Sequence, residues 1–265
     1  MTPTPPDKAR VRASFDRAAA TYDAAAALQA QVCERLLQAW SPRLPADGFT
    51  LLDAGCGTGH GARLLRQRWP QAQITGLDFA PAMLTRARPW VARVCAADME
   101  ALPLADASLE AWWSSLAMQW CDPACVLAEA ARVLRPGGQL ALSTLGPNTF
   151  HELREAFAQV DTRTHTLAFR PPEDIAQALA HAGLRLTQYR REPLVVHHHD
   201  LKSLLKEIKA VGANVVGRDG ARQGLFGRRA WAALQAAYEV HRGPDGLPLS
   251  YDVLLFTAEK PSPPV

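Results

Sequence analysis

Short apolar runs alternate along the first half of the chain with segments whose apolar residues recur at helical spacing. The runs predict strands at 49–52, 73–77, 91–96, 109–115 and 139–144. The segments between them predict a helix reaching residue 69 and further helices over 81–88 and 125–134, with a helix stop and chain reversal at 135–138. Strands alternating with helices are typical of parallel crossover connections, so the pattern predicts a doubly wound α/β sheet.

Helical patterns also flank this alternation. An alanine-rich helical segment covers 10–40, and after the fifth strand we predict a helix over 171–182 that stops at Gly183. Strands at 184–196 and 252–259 enclose an insertion that is helical over 201–211 and 228–240. We expect one domain overall, with an N-terminal helical cap (1–45), an α/β core (46–196), a helical lid (197–245) and a last strand with its tail (246–265).

The composition indicates the general class of protein but does not identify the reaction or the ligand. The 265 residues are 48% hydrophobic and 21% charged, with a formal net charge of +3 that is too small to argue for nucleic acid. No apolar run approaches a membrane span and no targeting segment is evident. The five cysteines lack zinc-site spacing, and His197, His198 and His199 would point to alternate faces of a strand, so we expect no metal site. Without a membrane span or a targeting segment, we expect a cytoplasmic enzyme.

The strongest chemical signal is the segment 51–59, an apolar strand that runs into Asp53 and then into alternate glycines. Gly55 and Gly57 allow a tight turn and a close approach of backbone to a ligand, although such turns are common between strands and helices. A dinucleotide fingerprint would require glycine at His60 and rarely needs the acid. Asp53 suits a cationic ligand better, which favours S-adenosylmethionine over NAD.

Two further acids follow later strands. Asp78 stands where it can bind both hydroxyls of a ribose, and Asp98 where it can accept from an adenine amino group while the Met99 thioether packs on the ring. A single Asp at a strand end is more often a helix cap. Because these acids and Asp53 fall on the same edge of the sheet, together they predict a nucleoside site.

The segments 53–59 and 132–138, together with Asp78 and Asp98, resemble the class I S-adenosylmethionine-dependent methyltransferases. The resemblance implies a seven-stranded sheet, mostly parallel and Rossmann-like, whose last two strands are antiparallel. It implies S-adenosyl-L-methionine as the cofactor. The cofactor-binding residues that it implies are Asp53, Gly55, Cys56, Gly57, Asp78, Phe79, Met83, Asp98, Met99 and Ser115.

A narrower resemblance spans nearly the whole chain. Segments at 12–22, 115–120, 143–147, 151–153 and 208–214 are similar to the malonyl-[acyl-carrier protein] O-methyltransferases of biotin biosynthesis. That family esterifies the free carboxylate of a malonyl thioester, which implies malonyl-acyl-carrier protein or malonyl-CoA as the partner, and neither nucleic acid nor membrane. Val215 and the histidine run at 197–199 depart from the family's pattern.

A carboxylate acceptor is already ionised at neutral pH, so we expect alignment and water exclusion instead of a general base. The candidate catalytic residues are Tyr22, Gln119 and Lys209. Tyr22 is expected to close over the cofactor or orient the carboxylate, or else simply to pack on the sheet. Gln119 is expected to position the acceptor beside a pocket wall at Trp120, the alternatives being a solvated glutamine and a core tryptophan.

Lys209 is the preferred partner for the malonyl carboxylate, with Arg170 as a weaker candidate and a solvated helix lysine as the alternative. Between residues 200 and 242 the basic residues exceed the acidic ones by four, which suits an acidic carrier protein but is also typical of a solvated surface. Two other hypotheses remain open: the chain methylates another small acid, a nitrogen or a phenol, or it is a cofactor-binding subunit without catalytic activity. Methylation of nucleic acid is disfavoured because no Asn/Asp-Pro-Pro-aromatic run is present.

Overall fold

The computed structural model describes residues 7–210 and 227–263. Its centre is a seven-stranded sheet of order β3-β2-β1-β4-β5-β7-β6. The strands are β1 (Thr50–Ala54), β2 (Gln73–Asp78), β3 (Arg93–Ala96), β4 (Leu109–Ser115), β5 (Leu134–Leu145), β6 (Arg185–His198) and β7 (Leu247–Glu259). The first five pair in parallel, and β7 runs antiparallel to both β5 and β6. The predicted α/β class, with its two antiparallel last strands, is confirmed.

Helices cover both faces of this sheet. They are α1 (Lys8–Ala18), α2 (Tyr22–Ala25), α3 (Ala27–Ala39), α4 (His60–Arg68), α5 (Pro81–Ala87), α6 (Pro123–Val133), α7 (His151–Ala158), α8 (Pro172–His181), α9 (Leu201–Ala210) and α10 (Arg228–Glu239). Within the described ranges, no helix is long and apolar enough to cross a membrane.

Adjacent tryptophans on β4 show why both faces must be covered. Trp112 and Trp113 are fully buried, and because consecutive strand residues point to opposite faces they lie in different core layers. Trp112 packs in the layer of α6 and α8, and Trp113 in the layer of α3 and α4. A strand that is buried on both faces is a continuous run of apolar residues in the sequence, and such runs predict the parallel strands of this sheet.

The single helical segment predicted over 10–40 is wrong in detail, because the chain forms three helices there. It breaks at Thr21 and again at Ala26. Between the breaks, Asp23 accepts a hydrogen bond of 2.6 Å from the Thr58 hydroxyl, which ties α2 to the glycine turn after β1. Tertiary contacts therefore override a uniformly high helix propensity at this place.

Two strands begin earlier than predicted, and one helix was not predicted. The helix α6 stops before residues 135–138 as predicted, but β5 begins at Leu134 instead of at residue 139. Gly137 and Gly138 therefore belong to the strand and pair with Lys260, and the register between β4 and β5 shifts across this segment. The strand predicted at 252–259 begins earlier, at Leu247. Helix α7 was not predicted, because only its buried side chains at Leu153, Ala156 and Phe157 mark it and eight residues carry little periodicity.

Candidate cofactor and substrate site

The glycine turn after β1 leaves one stretch of backbone bare. Gly55 and Gly57 both have positive φ, at 72° and 53°. A Cβ on Gly55 would lie 2.3 Å from the Ala117 Cβ, so this glycine is required by packing within the protein. A Cβ on Gly57 would meet nothing within 4 Å. Gly57 is thus the position where backbone faces open space that a ligand can fill.

Asp78, at the end of β2, holds this turn in place. Its Oδ2 accepts a hydrogen bond of 2.9 Å from the Gly57 amide, and its Oδ1 accepts one of 2.8 Å from the Ala80 amide. Burial, with a smaller contribution from the charge of Asp16, raises the pKa of Asp78 to about 6, although these two amide bonds and a third from Phe79 lower it. The two carboxylate oxygens together offer about four acceptor sites, so Asp78 can still accept from a ribose hydroxyl.

Asp53 is buried with one oxygen unsatisfied. Its side chain is 2% exposed, and its Oδ2 has no hydrogen-bond partner among the described residues. Burial, and next the negative charge of Asp78, raise the pKa of Asp53 to about 7, although the Ala62 amide bonds to it and lowers it. A buried carboxylate is costly unless it is paired. The residues present therefore fit a cationic ligand such as S-adenosylmethionine.

Two cavities are lined by this turn, and a third adjoins both of them at Tyr22. The first, the adenosine cavity, holds about 70 Å³. It is lined by predicted cofactor residues from the ends of four strands and from α5: Gly55, Gly57, Asp78, Phe79, Met83, Asp98, Met99 and Ser115. The predicted Cys56 does not line it; its side chain packs with Leu84 and Ala87, and its amide donates to the Leu77 carbonyl over 2.9 Å. Cys56 instead lines the second cavity, which is described below.

Lys8 also lines the adenosine cavity, and it was not predicted. Its Nζ lies 2.5 Å from Oδ2 of Asp98 and 2.7 Å from Oε2 of Glu100. Burial lowers the pKa of Lys8, but the two carboxylates outweigh this and raise it. Asp98, Glu100 and Cys121 have ligand atoms close enough together for a metal ion, yet the ammonium of Lys8 already bonds both carboxylates.

The second, the polar cavity, holds about 320 Å³ and meets the glycine turn from the side of α3 and α4. It contains Asp53 together with three residues that the sequence analysis did not assign to the site, Gln29, His60 and Arg63. His60 entered that analysis only as a departure from a dinucleotide fingerprint. The signal that was available is that His60 and Arg63 occupy the first turn of the helix that follows the glycines.

The third, the apolar cavity, holds about 190 Å³, and its lining includes Tyr22, Gln119 and Lys209. The structure therefore brings together the three residues that were predicted to be catalytic. Most of the remaining wall is aromatic or aliphatic: Phe15, Leu28, Leu116, Trp120, Leu145, Phe150, Leu153, Phe157, Leu167, Phe169, Leu205, Ile208 and Tyr251. Trp120 is one of these wall residues, as predicted, and is also mostly buried.

Tyr22 is the residue that lines all three cavities. It begins α2, and its ring lies 6.4 Å from that of Phe15. Burial, followed by the negative charges of Asp78 and Asp23, raises the pKa of Tyr22. The phenol is therefore neutral at physiological pH and offers a hydrogen-bond donor where the cavities meet.

Gln119 and Lys209 present different groups to the apolar cavity. The Gln119 amide nitrogen donates to the Leu116 carbonyl over 2.6 Å, which leaves its oxygen buried and without a partner in the described structure. A substrate carboxylate is an acceptor and would use the second N–H of this amide. Lys209 is exposed at the rim, whereas Arg170 lies outside the lining and is 3.6 Å from Asp174. Between the two cations, the geometry favours Lys209.

Comparison with known proteins identifies the family of the chain. Residues 52–142 match a family model described as a methyltransferase domain. The chain is 50% identical over 257 residues to the malonyl-[acyl-carrier protein] O-methyltransferase of Dechloromonas aromatica (strain RCB), which covers 97% of this chain and 96% of that protein. It is 37% identical to the biotin biosynthesis bifunctional protein BioHC of Teredinibacter turnerae, over 96% of this chain and 47% of that protein.

The fold has matching solved structures. One is a proposed methyltransferase of Bacillus halodurans C-125, with a TM-score of 0.60 and 19% identity over 87% of this chain and 99% of that one. At this identity the likeness concerns the fold alone. On its full-length likeness to the curated relatives, the chain belongs to the malonyl-[acyl-carrier protein] O-methyltransferase family of class I methyltransferases.

Proposed function

We propose that the protein transfers the methyl group of S-adenosyl-L-methionine to the free carboxylate of malonyl-[acyl-carrier protein], forming the methyl ester used in biotin biosynthesis. The observation that carries this function is the 50% identity to a malonyl-[acyl-carrier protein] O-methyltransferase over 97% of the chain. The cavities are in keeping with it, because an apolar space for the acceptor adjoins the two that suit the cofactor.

When bound, the cofactor supplies an electrophilic methyl group on a positively charged sulfur. The malonyl carboxylate is a nucleophile without any proton transfer, so the chain has to align it and exclude water. The aromatic wall of the apolar cavity, which includes Phe15, Trp120 and Phe150, serves that purpose. No step of this reaction requires a general base.

Tyr22 is the residue that we assign to the acceptor carboxylate. It stands where the apolar cavity meets both cofactor cavities, and its neutral hydroxyl donates a hydrogen bond. A neutral donor orients a carboxylate and leaves more of its nucleophilicity intact than a tight ion pair does. Gln119 supports the same end of the substrate through its remaining N–H.

Lys209 we assign to the outer part of the substrate. It shares one face of α9 with Lys202 and Lys206, at spacings of three and four residues, and all three side chains are exposed. This basic face adjoins the apolar cavity and complements an acidic carrier protein, which would steer its approach. Arg218 and Arg222, which the sequence analysis counted with this surface, lie outside the described residues.

The decisive experiment is mass spectrometry of malonyl-carrier protein after incubation with the enzyme and cofactor. We expect one added methyl group, and none on acetyl-carrier protein, which has the same arm but no free carboxylate. Malonyl-CoA and free malonate, assayed in parallel, establish which carrier the enzyme requires. Transfer to another small acid, with none to any malonyl thioester, would contradict the proposal.

A further inference from the structure

Unsatisfied polar atoms are concentrated in the polar cavity. Ten buried side-chain polar atoms of the described residues lack a hydrogen-bond partner, and four of them belong to residues that line this one cavity. These four are Gln29 Oε1, Asp53 Oδ2, His60 Nε2 and Trp113 Nε1. Buried polar atoms in proteins are nearly always bonded, so such a concentration indicates the place of a polar ligand.

Arg63 adds a cation without a counterion to the same cavity. Its guanidinium lies 5.9 Å from the centre of the Trp90 ring, and its Nη2 is 3.3 Å from Nδ1 of His60. In the part of the chain that the structure describes, no carboxylate lies within ion-pair distance of Arg63, although the cavity contains Asp53. The guanidinium is therefore available for a negatively charged group of a ligand.

The contact with Arg63 also determines the tautomer of His60. Arginine can only donate, so Nδ1 of His60 must accept and carries no hydrogen. Burial, and next the charge of Arg63, lower the pKa of His60, which favours the neutral ring with its hydrogen on Nε2. That Nε2 is buried and has no partner. His60 thus presents a donor beside the donor groups of Arg63.

We infer that Arg63 and His60 bind the carboxylate of the amino-acid end of the cofactor, while Asp53 and Gln29 accept from its ammonium group. Donors and acceptors without partners occur together in one cavity beside the bare backbone of Gly57, as a zwitterionic ligand requires. An adenosine carrying only a neutral or only a cationic chain would leave Arg63 and His60 unpaired. The polar cavity therefore selects for the intact α-amino acid.

Calorimetric binding of three ligands tests this assignment: S-adenosylhomocysteine, its decarboxylated analogue and methylthioadenosine, which lacks the whole amino-acid end. The variants are Arg63→Met, His60→Leu and, as a matched control on an exposed turn of α4, Arg66→Met. The Arg63→Met variant should bind S-adenosylhomocysteine about 10- to 100-fold more weakly than wild type, because it loses a charge-assisted contact. Binding of the other two ligands by that variant should stay within about twofold of wild type.

His60 provides a second, graded readout. His60→Leu should weaken S-adenosylhomocysteine binding, and His60→Gln, whose amide nitrogen can replace the Nε2 donor, should restore part of it. Equal losses for all three ligands would mean that Arg63 only shapes the turn, and unchanged affinity would remove it from the site; either outcome overturns the inference. No methyl acceptor is present in this assay, so its result is independent of the proposed substrate.

Discussion

Asp53 should make the cofactor-free protein less stable as the pH rises. Its pKa is raised from 3.8 to about 7 in the folded state. A group whose folded pKa exceeds its unfolded value contributes stability below the unfolded pKa and loses it as the pH rises through the folded one. A difference of about 3 pH units corresponds to about 4 kcal/mol at 1.36 kcal/mol per unit, lost between about pH 4 and pH 7.

Asp53→Asn removes this penalty with almost no change in shape. The asparagine oxygen can still accept from the Ala62 amide, which bonds to the carboxylate in the wild type. We expect the free energy of unfolding of the cofactor-free variant to exceed that of wild type by about 2–4 kcal/mol at pH 8. Near pH 4 the difference should fall below about 1 kcal/mol, because the wild-type carboxyl is then protonated.

Urea unfolding at pH 4.5, 6 and 8 measures both effects, with Asp47→Asn as an exposed control that should not change the pH profile. The same stabilised variant should bind S-adenosylhomocysteine at least about tenfold more weakly at pH 8, since the ammonium loses its charged partner. A lower unfolding free energy than wild type at pH 8, or an equal gain at pH 4.5 and pH 8, would refute the reasoning.

Three further substitutions separate the roles assigned here. Gly57→Ala should lower the free energy of unfolding by about 1–2 kcal/mol, and Gly183→Ala is the matched control, because both glycines have positive φ and open surroundings and should lose a similar amount. Only Gly57→Ala should lower cofactor affinity in calorimetry, by about tenfold. Tyr22→Phe should lower kcat for methylation about tenfold in steady-state assays, with cofactor affinity within about twofold, and an unchanged kcat would remove Tyr22 from the acceptor site. Lys209→Gln should raise KM for malonyl-carrier protein about fivefold at low salt, a difference that disappears at high salt if it is electrostatic.

The cofactor edge could be predicted from the sequence because it depends on local pattern. Asp53 is the last residue but one of β1 and Asp78 is the last residue of β2, and parallel strands bring such residues to one edge of the sheet whatever the helices do. Gly57 was predicted on the same grounds, and its open surroundings support the ligand approach. Gly55 shows the limit of such reasoning, since its requirement comes from Ala117, sixty-two residues away in the sequence.

The polar cavity could not be predicted because its walls come from separate parts of the chain. Gln29 belongs to α3, Arg63 to α4 and Trp113 to β4, and no pattern in the sequence joins them. What identifies them is the absence of partners after folding, which is a property of packing and not of spacing. The breaks at Thr21 and Ala26 escaped prediction for a related reason, because the Asp23–Thr58 contact that accompanies them is long-range.

The contrast between the cavities implies an order of binding. In the described lining of the apolar cavity, Lys209 at the rim is the only Lys or Arg, so an acceptor carboxylate near Tyr22 loses water with no protein cation beside it. A cationic cofactor in the adjoining cavities offsets that loss by about 4 kcal/mol at about 4 Å and an effective dielectric constant of about 20.

Malonyl-carrier protein should therefore bind at least about tenfold more tightly in the presence of the cationic analogue sinefungin than in the presence of S-adenosylhomocysteine, whose sulfur is neutral. Acetyl-carrier protein, which lacks the carboxylate, should show no such difference. Equal affinities of malonyl-carrier protein in the two complexes would mean that a protein group compensates the carboxylate charge. Lys209 would then have to reach inward from the rim, and the assignment of the acceptor end to Tyr22 would be wrong.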